Sequence, residues 1–179
     1  TTRGGRVIAT LTLHWGDENT LTDREVACSF AGGMLMRGTQ KKSRADIKDA
    51  FEKLNASVSV SGDGASIEVR RESLVPTLRL VAEVLREPAF SPAEFDEMKR
   101  AALTGAESQR TDPSAQASLQ LARHLSLYPK GHPNYTPDVE ERIEWLRAAT
   151  LEDAVGCYRE LFGGTGAEFT AVGEFDPDE

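Results

Sequence analysis

The hairpin signal at residues 57–70 limits what this chain can fold into more than any other stretch. Val58 and Val60 alternate with Ser57, Ser59 and Ser61, and Ala65, Ile67 and Val69 alternate with Ser66, Glu68 and Arg70. Such alternation sends one set of side chains to a buried face and the other to water. Gly62-Asp63-Gly64, between the two runs, supplies the tight reversal of a hairpin. A chain that contains it must build an antiparallel sheet with one face to cover. Two more strands are expected, one within Arg6 to Trp15 around the β-rich run Val7–Leu13, and one from Ala167 to Glu174.

Helical grammar fills the intervals. Thr22-Asp23-Arg24-Glu25 reads as a capping box that opens a helix closed near Gly38. Ser43-Arg44-Ala45-Asp46 opens a second, with Ile47, Phe51 and Leu54 at helical spacing up to about Asn55. Leu74, Leu78, Val81 and Leu85 form the stripe of a third, stopped by Pro88. Ser91-Pro92-Ala93-Glu94 places a cap, a proline at the first helical position and a glutamate at the third, and the helix it starts reaches Glu107 and Arg110. Asp112-Pro113 starts another. Tyr128–Tyr135, dense in proline and glycine, is a loop. Val139, Ile143 and Leu146 mark a short helix, and Thr150 caps the last one. Strands at both ends and in a hairpin, with helices grouped between, predict an α+β fold. The expectation is one antiparallel sheet of about four strands with helices packed on one face, built as a single domain over residues 1–179 that is a fragment of a longer multi-domain chain.

At 100° per residue, Val26, Ala27, Phe30, Ala31, Met34 and Leu35 gather on one side of the first long helix. Ser29, Gly32 and Gly33 fall on the other, so that face carries nothing larger than a hydroxymethyl group. Two adjacent helical glycines cost about 2 kcal/mol relative to alanine. The expected compensation is another element packed closely against the bare surface.

The block that follows, Met34-Leu35-Met36-Arg37-Gly38-Thr39, resembles the segment just after the zinc motif of the pitrilysin/insulinase family of metallopeptidases. Leu85-Arg86-Glu87-Pro88-Ala89-Phe90, the Glu107 segment and the Tyr128–Tyr135 loop continue the resemblance over nearly the whole chain. In active members an H-x-x-E-H motif supplies two histidine ligands and a glutamate base. Here the corresponding positions are Ser29, Gly32 and Gly33. The family's third ligand, a glutamate further along, aligns with Glu107 in Glu107-Ser108-Gln109-Arg110-Thr111-Asp112-Pro113. It is the one member of the set that remains.

The resemblance implies a non-catalytic domain of a zinc peptidase, the inactive half that closes a peptide-binding chamber against a zinc-bearing half. That half would be the partner, in the same chain or another, and would hold the zinc; no cofactor is expected in this domain. The family's fold also serves zinc-less structural and assembly subunits with no associated protease, which is the alternative. A periplasmic home is implied by the resemblance alone.

The residues themselves agree on what to exclude. A catalytic zinc needs three protein ligands, and none of His14, His124 and His132 pairs with another at i and i+4. Ser29 stands in no G-x-S-x-G elbow. A net charge of −8 argues against nucleic acid. A mean hydropathy of −0.41 with no long apolar run argues against a membrane span. The two cysteines, Cys28 and Cys157, form either one disulfide or two small buried hydrophobes; the reading favours two free core thiols.

Overall fold

The computed structural model describes residues 5–176. Among them, four strands and eight helices follow in the order β1 (Arg6–Thr12), α1 (Glu18–Leu21), α2 (Glu25–Met34), α3 (Arg44–Lys53), β2 (Ser57–Ser61), β3 (Gly64–Arg70), α4 (Leu74–Arg86), α5 (Pro92–Gln109), α6 (Pro113–Leu125), α7 (Val139–Ala148), α8 (Leu151–Leu161) and β4 (Glu168–Gly173). They divide into two compact units. A sheet unit holds the described residues up to 15, 31–91 and those from 162 on, and a helical unit holds 16–30 and 92–161.

In the sheet unit the strands run β2-β3-β1-β4, every pair antiparallel. The register aligns Val7 with Val69, Ala9 with Ile67, and Val58 with Ile67. One face therefore collects Val7, Ala9, Ile67 and Val69, none more than 3% exposed. The opposite face carries Thr10, Ser66, Glu68 and a 45%-exposed Ile8. α4 packs on β2 and β3, and α3 on β2, so the alternation seen in the sequence becomes one covered face. Gly64 allows the hairpin: its φ is +135°, and a Cβ there would collide with the Leu11 carbonyl.

The buried stripe of α4 is Leu74, Thr77, Leu80, Val81 and Val84, with Leu78 and Leu85 only half-buried. The expected stripe is thus shifted by about one residue, because a threonine occupies a core position. Thr77 is fully buried and, among the described residues, its hydroxyl has no hydrogen-bond partner. Thr77→Val should therefore raise stability by about 1 kcal/mol, since it removes an unsatisfied buried oxygen at nearly constant volume. Chemical denaturation checks it; a loss of stability would mean that the hydroxyl is satisfied.

The helical unit is built around α5 and α7. Phe95 of α5 meets Phe30 of α2 with ring centroids 5.1 Å apart, and Ile143 and Leu146 of α7 are buried. The helix starts follow the sequence at Pro92, Pro113 and Val139, and Thr150 and Asp153 form the reciprocal cap of α8. The start of α2 does not. Asp17 caps the short α1 through Asn19 and Thr20, and the Thr22 hydroxyl donates to the Glu18 carbonyl at 2.7 Å. Asp23, at φ 59°, then turns the chain before α2 begins at Glu25. The Thr22 box is not formed because Thr22 closes α1, its hydroxyl turned back to the Glu18 carbonyl, and the Arg24 N–H goes to the Leu21 carbonyl.

The cysteines correct a second expectation. Cys28 on α2 and Cys157 on α8 form a disulfide, with Cα atoms 5.3 Å apart. The two are separated by 129 residues, so only the packing of α2 beside α8 brings them together.

Candidate functional site

Ser29, Gly32 and Gly33 lie on consecutive turns of α2, and Glu107 lies near the end of α5. Ser29 and Gly33 are exposed, while Gly32 is buried. A Cβ added at Gly32 would stand 2.8 Å from the backbone nitrogen of Gly62 and 3.0 Å from its Cα. The turn of the β2–β3 hairpin thus occupies the space that a side chain would need. Phe162 seals it: its ring would lie 3.9 Å from that added carbon, and it packs tilted at 38° against Trp15 at a centroid distance of 4.3 Å. Trp15 in turn donates its indole N–H to the Gly62 carbonyl at 2.8 Å. The bare face expected from the sequence is packed at Gly32, while Ser29 and Gly33 are exposed.

Glu107 accepts a hydrogen bond from Arg147 of α7 at 3.3 Å, both side chains at least half exposed. Arg110, its neighbour in sequence, instead places its guanidinium across the carboxylate of Glu140. Among the described residues no three His, Cys, Asp or Glu side chains stand together as a set that could hold a metal ion. His14 faces Glu168 at 3.9 Å, and His124 is exposed on α6. His132 is not the solvated loop residue that its sequence context suggests. Its side chain is 13% exposed, its Nε2 lies 3.0 Å from Glu18, its Nδ1 accepts the Asn134 N–H, and its ring stacks on Tyr128.

The two short blocks at 34–39 and 85–90 prove to be one structural corner. Gln40 N–H donates to the Glu87 carbonyl, and Ala89 N–H donates to the Gly38 carbonyl. Thr39, 5% exposed, donates its hydroxyl to Glu83, whose two oxygens also receive the Lys42 ammonium at 2.9 and 2.7 Å. The Lys42 hydrogen bond, with help from Thr39, holds the Glu83 carboxyl below its ordinary value of 4.5. Since the folded value is the lower one, this contribution is complete above pH 4.5 and is lost as the pH falls through the folded value. Glu83→Gln should cost about 2 kcal/mol at pH 7, and the gap from the parent should narrow as unfolding is repeated at increasingly acidic pH. A gap constant with pH would show that the ion pair adds nothing.

No protein-family sequence model matches the chain, and no curated protein sequence does. Solved structures do. The inactive domain of an M16 peptidase from Pseudomonas fluorescens superposes over 99% of the chain with a TM-score of 0.82 at 21% identity. The chain has the fold of an M16 inactive domain. A protease from Helicobacter pylori matches this M16 fold over 98% of the chain (TM-score 0.76, 14% identity), and the periplasmic protease PqqL from Escherichia coli over 97% (TM-score 0.69, 16% identity). The chain spans 43% of the length of the first two and 20% of the third.

Proposed function

We propose that this M16-fold chain is a non-catalytic module of a longer zinc peptidase, and that it forms the wall which closes a peptide-binding chamber against a zinc-bearing half. The observation that supports this reading is the filling of the Gly32 position by the Gly62 backbone. In the resemblance that position carries the general base. Here it has no room for a carboxylate, and its neighbours Ser29 and Gly33 offer no ligand. Glu107, paired with Arg147, keeps a structural task. The zinc would sit in the partner half, the peptide would lie between the two, and the compartment would be the periplasm or the exterior. The Cys28–Cys157 disulfide favours an oxidising compartment independently of any resemblance.

The test is reconstitution. The chain alone, dialysed against zinc, should take up no stoichiometric metal and should leave a quenched peptide uncut. Mixed with the H-x-x-E-H half from the same reading frame or a neighbouring gene, it should restore cleavage that this half lacks by itself. Cleavage by the chain alone would overturn the proposal. A genome with no H-x-x-E-H half beside this one would move the reading to a structural or assembly subunit.

A further inference from the structure

The 131–133 loop is one wall of a cavity of about 670 Å³ in the helical unit, the others being the start of α2, the last turns of α7 and one face of α8. The side chain that ties this loop together is His132, 13% exposed.

Its two ring nitrogens have different tasks. Nδ1 accepts the backbone N–H of Asn134 at 2.9 Å, which closes a turn inside the loop. A ring nitrogen that accepts carries no proton, so the neutral imidazole bears its proton on Nε2. Nε2 lies 3.0 Å from the Glu18 carboxylate of α1, and Tyr128 stacks on the ring at a centroid distance of 4.2 Å. The neutral ring thus suits both neighbours. A second proton can go only to Nδ1, where it points at the Asn134 N–H; donor then faces donor, and that hydrogen bond is lost. The Glu18 contact survives, because a carboxylate accepts from the cation too. Protonation therefore leaves the loop beside α1 and undoes the turn at 132–134.

The surroundings confine the release. Before the ring, the Asp23 N–H holds the Gly131 carbonyl at 3.2 Å. After it, the Tyr135 hydroxyl donates to Glu141, which also takes the Lys130 ammonium. Arg123 of α6 pairs with Asp138, Arg24 pairs with Glu160, and Asp153 caps α8. These hydrogen bonds hold the Glu141 and Asp138 carboxyls below their ordinary values, so both stay charged through the range in which an imidazole titrates. Asp23 and Glu152 line the cavity as well, and there the Glu25 carboxyl is pushed up by burial. Glu25 is thus a second group through which pH could act on this cavity.

We infer that His132 is a proton-operated latch: neutral, it closes the 132–134 turn, and doubly protonated it releases that turn and loosens the loop wall of the cavity. The device does not depend on the chamber-wall reading, and its test needs no partner half.

Amide exchange and the ring nitrogen resonances of the 179-residue chain are followed by NMR from about pH 8 to about pH 5.5. The ring signals should place the proton of the neutral imidazole on Nε2. As the ring gains its second proton, the protection of the Asn134 amide, corrected for the intrinsic pH dependence of exchange, should fall about fivefold, the worth of one hydrogen bond. The Ser126 and Ala149 amides, which close α6 and α7 on the Ala122 and Trp145 carbonyls, should keep theirs. His132→Asn, whose side-chain oxygen can accept the same N–H and does not titrate, should keep Asn134 protected throughout. Glu25→Gln should leave the response unchanged. The inference is overturned if the neutral ring carries its proton on Nδ1, or if Asn134 stays protected when the ring is charged. It is equally overturned if Ser126 and Ala149 lose protection to the same extent, if His132→Asn responds as the parent does, or if Glu25→Gln abolishes the response.

Discussion

Replacing Cys28 and Cys157 together by alanine is expected to lower the stability of the chain by about 4 kcal/mol. The bridge spans 129 residues, and the chain-entropy cost that it removes from the unfolded state is about 5 kcal/mol for a loop of that length. Measured losses for native bridges run about 2–5 kcal/mol, because the unfolded chain is never fully random. Both cysteines are also almost completely buried, so alanine forfeits packing as well. Urea unfolding should show a lower midpoint, and a steeper dependence on denaturant as the uncrosslinked chain expands. The intact chain in reductant should move toward the same behaviour. A loss below about 1 kcal/mol would mean that α2 and α8 hold together without the link.

Gly32→Ala should destabilise the chain by about 2 kcal/mol, although helix propensity taken alone predicts a gain of about 1 kcal/mol. The added carbon would meet the nitrogen and Cα of Gly62 at 2.8 and 3.0 Å. Both are backbone atoms of a hairpin turn, with no flexible side-chain end to swing aside. Overpacking of that kind costs about 1–3 kcal/mol and sometimes more. Gly32→Glu, which puts a carboxylate where the resemblance aligns the general base, should cost over roughly 3 kcal/mol and should recruit no zinc. Gly33 is exposed, so Gly33→Ala should follow propensity and stabilise. Opposite signs at adjacent glycines are the diagnostic result, read from thermal or urea midpoints. Stabilisation at both would show that the hairpin turn yields.

These contrasts mark what the sequence could disclose. The sheet was legible because a period of two survives in Ser57–Ser61 and Gly64–Arg70 whatever packs above them, and α5 and α6 were legible because proline at the first helical position is a local signal. The α4 stripe was displaced because Thr77 is buried where polarity argues for exposure. The start of α2 was missed because Thr22 serves the end of α1, a four-residue helix that the sequence reading did not contain. For the disulfide no local signal exists, since it depends on helices distant in the chain. On the α2 face, the absence of bulk was visible in the letters Ser29, Gly32 and Gly33. That Gly62, Phe162 and Trp15 fill the space was not, because each comes from a different part of the chain. The cavity of the helical unit was equally hidden, its walls being gathered from four separate segments.

The strand order has a consequence for how the molecule comes into being. β1 lies between β3 and β4, and β4, at residues 168–173, leaves the ribosome long after β1 does. During synthesis one side of β1 therefore waits with its amides and carbonyls unclaimed, a template for any passing strand. Pairing across so long a span is slow, so a newly made chain depends on protection of that side until β4 arrives to close it.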